Sequence, residues 1–242
     1  MEEVSFNEFY SLMNIAGIII VEDSIEFDLS RKSVMYDYFM LTDDEKENLI
    51  TNIFDGQIKI KLKKINEEYS RCKDRFKWNS VPKRDVEFYI KKQEMFELKN
   101  AIEDLTEEEV GKCSEVFQRF GVGVKSKNAK GYKGLIEGTK KDGISLPLRV
   151  YTDFSAPDLK CMEEDLMLFG KENKFFLCII DNFMNGEARG KDIIDELYEN
   201  NQAKQSGICI VLSSQHEDIT RKTDEMYVGF VNKSTENIDN EI

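Results

Sequence analysis

Apolar residues recur along this chain at two spacings, and the change from one to the other divides it. Val4, Phe6, Phe9, Tyr10 and Met13 follow a largely helical spacing, which predicts a short amphipathic helix over residues 3 to 14. The following stretch, IAGIIIVEDS, is an apolar, β-branched run from Ile15 to Val21 that stops on Glu22 and Asp23. It predicts a strand with two acids at its carboxyl end. From about 24 to 120 the chain turns Lys/Glu-rich, with an apolar residue every three or four positions, as in Ile58, Leu62, Ile65 and Tyr69 and again in Phe88, Met95, Leu98 and Ile102. The pattern predicts two long helices broken around WNSVPKRD (78–85), because Pro82 disfavours helix in the residue before it. LTEEEVGKCSEVFQRFG predicts another helix, opened by a capping box between Thr106 and Glu109. The charge runs of this region read as the solvated faces of a helical hairpin.

Residues 121–145 carry six lysines and six glycines but no G-x-x-x-x-G-K-[ST] pattern, so they read as a connector rather than a phosphate loop. After 146 strand and helix patterns alternate. LPLRVYTD, FFLCIID, SGICIVLSS and MYVGFVNKS read as strands, and APDLKCMEEDLMLFG and GKDIIDELYEN as helices. Such alternation indicates an α/β fold with a parallel sheet, which the strand at 15–21 completes as its fifth member. The domain division that follows is 1–23 plus 146–242 for the α/β part and 24–145 for a mainly helical insertion.

Composition narrows the function classes. A net charge of −13 argues against a nucleic-acid partner on electrostatic grounds. The five cysteines show no C-x-x-C spacing and read as free thiols of a reducing compartment. The amino-terminal stretch MEEVSFNEFYSLMN has acids where a signal peptide needs bases, and no apolar run approaches ~18 residues, so a cytoplasmic protein with no membrane span is expected.

The chemistry lies at the carboxyl ends of the strands: Glu22 and Asp23, then Asp181, then Ser213, then Lys233. Asp181 by itself is equally readable as the N-cap of the next helix. As a set, the groups have a chemistry. Paired acids hold a hard divalent cation, a third carboxylate can attack phosphorus, and a hydroxyl and an ammonium can bind phosphoryl oxygens. In this arrangement the chain resembles the receiver domain of two-component response regulators. IIIVEDS resembles its first strand and acidic pair, CIIDNFMNGEARG its phosphoacceptor strand, IVLSS the strand ending in a hydroxyl residue, and FVNKS the strand ending in a lysine. Ser213 stands 32 residues after Asp181 and Lys233 20 after Ser213, close to one βα unit each.

The resemblance implies a flavodoxin-like sheet in the order 2-1-3-4-5, with the strand at 16–21 between those at 147–151 and 176–180. It further implies Mg2+ held by Glu22, Asp23 and Asp181, phosphorylation of Asp181 by a kinase or a small phosphodonor, sensing by Ser213 and Lys233, and a switching aromatic at Phe230. Three departures stand out. About 120 residues separate the acidic pair from the second strand, Ser234 follows the lysine where the family has proline, and only nine residues remain after Lys233. The last point fits either a fragment or a groove filled by the helix at 3–14.

Three functions are therefore in play: a phosphoacceptor switch, a pseudo-receiver scaffold that binds proteins within a larger signalling or defence assembly, and, more weakly, a hydrolase or nucleotide-binding enzyme. A stand-alone enzyme is disfavoured because no general base sits beside the acids, and His216, the only histidine, reads as an exposed loop residue. In the insertion, Trp78 with Phe76 and Phe88 is the candidate partner-binding cluster.

Overall fold

The computed structural model describes residues 10–73, 90, 95–125, 146–152, 156–169, 175–181, 190, 193, 207–213, 221–222 and 226–232. These fall into two compact units, Met1–Glu26 with Ser126–Ile242, and Phe27–Lys125.

The first unit is α/β. Its strands are β1 (Ile15–Val21), β2 (Leu148–Tyr151), β3 (Phe175–Asp181), β4 (Gly207–Ser213), β5 (Arg221–Lys222) and β6 (Met226–Asn232), in the order β2-β1-β3-β4-β6-β5. β1 lies between β2 and β3, and the four pairings from β2 to β6 are parallel. β5 is a sixth, antiparallel strand at the edge of β6. Two residues are too few to show a period, which is why the sequence pattern does not announce it. β1 and β3 are almost wholly buried, as continuous Val/Ile/Leu-type runs require in a sheet covered on both faces.

The helix Ala156–Phe169 packs on one of these faces, burying Met162, Leu166 and Phe169 with Ile19, Val21, Phe176, Cys178 and Ile180. Gly17 admits the Phe169 ring: a Cβ at residue 17 would stand 2.7 Å from ring carbons. Gly17→Ala is therefore expected to cost about 1–3 kcal/mol through overpacking, seen as a lower denaturant midpoint at unchanged slope.

Charge is buried here too. Arg149 on β2 and Asp165 on the helix are both inaccessible to solvent, with Arg149 Nε donating to Asp165 Oδ1 at 3.0 Å and Tyr151 Oη donating to Asp165 Oδ2 at 2.7 Å. The guanidinium also donates to the Leu148 carbonyl and lies over the Phe169 ring.

The second unit is helical. In chain order its helices are α1 (Arg31–Met40), α2 (Asp43–Asn52), α3 (Gly56–Cys72), α4 (Phe96–Asp104), α5 (Glu107–Lys112) and α6 (Ser114–Arg119), and the helix of the first unit is α7. α3 starts where the Asp55 carboxylate accepts from the backbone of Gln57 and Ile58, and it buries Ile58, Leu62, Ile65 and Tyr69. α3 is the first of the two predicted long helices; the break at 78–85 lies outside the described residues, and of the second predicted helix the described element is α4, which begins after Met95, whose φ of −86° and ψ of 61° are not helical. Residues 31–52 form α1 and α2, with Ser30 and Thr42 as N-caps.

The capping box of Thr106 and Glu109 is present, but the predicted single helix divides at Cys113, whose φ of −107° and ψ of 14° leave the helical region. Gly111, a poor helix former, lies just before that break. Lys61 reaches Glu109 at 2.7 Å and, with the Thr106 backbone, holds that carboxyl below its ordinary range.

Not every charge in this unit is solvated. Lys46 is buried, its Nζ 3.4 Å from Asp43 Oδ1 and 4.7 Å from the centre of the Tyr69 ring, which stacks on Phe39. Desolvation lowers its pKa despite the attraction of Asp43, so the folded chain holds this proton less tightly than the unfolded one. Stability contributed by Lys46 accordingly grows as pH rises through the lowered value toward that of an ordinary lysine. Burial raises the pKa of the neighbouring Tyr38, whose contribution is lost once pH exceeds the ordinary tyrosine value. Stability should therefore rise with alkalinity only to about pH 9, where Cys113, whose thiol is pushed up to about 11 by burial, begins to oppose it, followed by Tyr38. Lys46→Met, which keeps an unbranched apolar side chain and removes the buried charge, is expected to stabilise by about 1 kcal/mol and to flatten the rising limb in pH-dependent urea melts.

Candidate metal and phosphoacceptor site

Parallel pairing sets the carboxyl ends of β1 and β3 side by side, with Val21 opposite Ile180, so Glu22 and Asp181 both follow directly from paired residues. The Glu22 N–H donates to the Tyr151 carbonyl at 2.9 Å and carries the sheet one residue further on the β2 side. Glu22 and Asp181 are buried, and Asp23 is half-buried in the turn after β1. One carboxylate oxygen of each lies within 4.8 Å of the other two.

That spacing tests a cation directly. Mg2+ holds oxygens at about 2.0–2.1 Å, so two opposed ligands stand at most about 4.2 Å apart, whereas Ca2+ at about 2.3–2.6 Å spans nearly 5 Å. The three acids fit a hard divalent cation. Mg2+ is accommodated at the shorter separations within the 4.8 Å limit, or with one carboxylate bound through a water, as this ion commonly does.

Ser24 is the residue that the sequence reading passed over. Its N–H and its hydroxyl both donate to Glu22 Oε1, at 3.1 and 2.6 Å, fixing the carboxylate from one side. The signal was present in the string EDS, since a serine two residues after an acid in a turn commonly bonds back to it.

The remaining predicted groups are placed by backbone alone or lie outside the described residues. Ser213 ends β4, one residue beyond the Leu212 that pairs with Asp181, and so reaches the same sheet edge. Phe230 is on β6 opposite Val211, and Asn232 is opposite Ser213. Lys233, Phe76, Trp78 and Phe88 lie outside the described residues. Among the described residues no helix is long and apolar enough to cross a membrane. No family model matches the sequence, and no curated protein or solved structure matches the chain.

Proposed function

We propose that this chain is a receiver-like signalling module: a flavodoxin-like core of five parallel strands in the order 2-1-3-4-5, phosphorylated on Asp181 with Mg2+ and carrying a large helical insertion that engages a protein partner. The observation that supports it most is the convergence of Glu22, Asp23 and Asp181 within 4.8 Å at the carboxyl ends of adjacent parallel strands, where α/β sheets place their ligands.

On this reading a carboxylate oxygen of Asp181 attacks the phosphorus of a phosphodonor. An O–P bond forms as the bond to the donor's leaving group breaks, and the leaving group departs with that electron pair. Glu22 and Asp23, with Asp181, would hold the cation, whose contribution when bound would be to neutralise charge on the phosphoryl oxygens. Ser213 and Lys233 would bind those oxygens, and Phe230 would pass the change on.

The test is incubation with acetyl phosphate and Mg2+ followed by intact-mass measurement. A gain of one phosphoryl group that is absent in Asp181→Asn supports the switch. No gain, with Mg2+ still bound, favours the second reading, a pseudo-receiver scaffold. The separate compact unit Phe27–Lys125 gives that reading its own basis.

A further inference from the structure

Of the five cysteines, Cys161, Cys178 and Cys209 belong to the α/β unit, and the sheet register brings two of them together. Cys178 stands opposite Cys209 in the parallel pairing of β3 with β4, inside a register that runs from Phe176 with Gly207 to Asp181 with Leu212. Neighbouring strands lie about 4.7–4.9 Å apart, so the Cα atoms of the two cysteines fall within the roughly 4.4–6.8 Å that a disulfide spans. Cys178 is a reduced thiol, fully buried, in the cluster that α7 covers with Met162, Leu166 and Phe169. Cys161, on α7 itself, is half-buried and packs on the same cluster.

We infer that Cys178 and Cys209 are a modification site: a thiol pair that a diffusible peroxide converts to a reversible disulfide. With hydrogen peroxide as the oxidant, one sulfur attacks a peroxide oxygen and the O–O bond breaks. That thiol becomes a sulfenic acid, and its proton leaves with the other oxygen as water. The second sulfur then attacks the sulfenic sulfur, so that the S–S bond forms as the S–O bond breaks, and the hydroxyl leaves with the second thiol's proton as another water. Two thiols are oxidised by two electrons in all, and one peroxide is reduced to two waters.

Register also sets the strength of the bond. Side chains paired across parallel strands start about as far apart as the strands, whereas a disulfide holds its Cβ atoms at about 3.5–4.5 Å. Closing that gap inside a ladder paired on both sides of the cysteines strains the link, and a strained disulfide is readily reduced. Burial slows the entry of the oxidant, so local opening of the sheet paces the reaction.

The test is incubation of the full chain with hydrogen peroxide in about tenfold excess, then alkylation in denaturant and tryptic mapping. Cleavage places Cys178 in peptide 175–189, Cys209 in 205–221 and Cys161 in 161–171. Three alkylated cysteines are expected where the untreated chain has five, with 175–189 joined to 205–221. Reduced glutathione at about 5 mM should restore all five. The same link is expected in Cys161→Ala and is lost in Cys178→Ala and in Cys209→Ala. The wild-type map decides the pairing even where a variant in the core fails to fold. Five cysteines still open to alkylation, a joined pair that includes 161–171, sulfinic acid on either cysteine of the pair, or a bond that glutathione leaves intact would each overturn the inference.

Discussion

Asp165→Ala is expected to destabilise the α/β unit by about 3–5 kcal/mol, because it leaves a fully buried guanidinium without its carboxylate and takes the partner of the Tyr151 hydroxyl with it. For a chain of this size that corresponds to a fall in melting temperature of roughly 10 °C. The cost belongs to orphaning the charge, not to the worth of the pair. Replacing both partners at once, Arg149→Met with Asp165→Leu, should recover most of the loss, since apolar substitutes for a buried ion pair are often neutral or stabilising. Thermal melts of Arg149→Met, Asp165→Leu and the double variant form the cycle that measures this. A double variant as unstable as Asp165→Ala would show that the packing of the helix, and not the ion pair, sets the cost.

The second large effect is expected at the acidic cluster. Carboxylates whose nearest oxygens lie within 4.8 Å of one another repel by roughly 3 kcal/mol per pair at an effective dielectric near 20, and solvent at the half-exposed Asp23 reduces this. Asp181→Asn removes two such repulsions, along with the favourable contacts that the charged form makes. A net gain of about 1 kcal/mol is expected in the absence of divalent ions. Cation binding acts in the opposite sense on the two proteins. At 10 mM Mg2+ and a dissociation constant near 1 mM, the wild type gains about 1.4 kcal/mol, or roughly 3–6 °C, and Asp181→Asn gains almost nothing. Calorimetry with and without Mg2+, and with Ca2+ as the larger probe, checks both statements. An equal Mg2+ shift in the two proteins would remove Asp181 from the site.

Some of this was legible in the sequence because it is local. The run Ile15–Val21 and the run Phe175–Ile180 are continuously apolar and rich in β-branched or aromatic residues, and each stops on an acid, so both the strands and the acids at their ends could be read directly. Thr106 and Glu109 are three residues apart and speak to each other whatever surrounds them. The helix break at Cys113 was hidden because the charged residues around it favour a helix on both sides. Lys46 and Arg149 were illegible for a different reason. Nothing in the neighbourhood of a lysine says that a tyrosine 23 positions later will cover it, nor does a strand arginine declare a carboxylate on the next helix. Periodicity reports which face a residue is on, whereas burial of a charge depends on a partner that only the tertiary fold supplies.

The bridge of Phe27 with Val124 and the bond from the Asp28 N–H to the Gly123 carbonyl also bear on how the sheet can form. β1 and β2 are parallel neighbours separated by roughly 125 residues of chain, and closing a loop of that length is a large entropic charge on a single pairing. Once Phe27 and Asp28 have met Gly123 and Val124, the intervening hundred or so residues no longer count, and the loop left to close is only about 30 residues long. By the logarithmic law of loop closure this reduces the cost by about 1 kcal/mol, severalfold in the rate of any step limited by that encounter. The insertion that interrupts the sheet in sequence thereby shortens the search by which the sheet is completed.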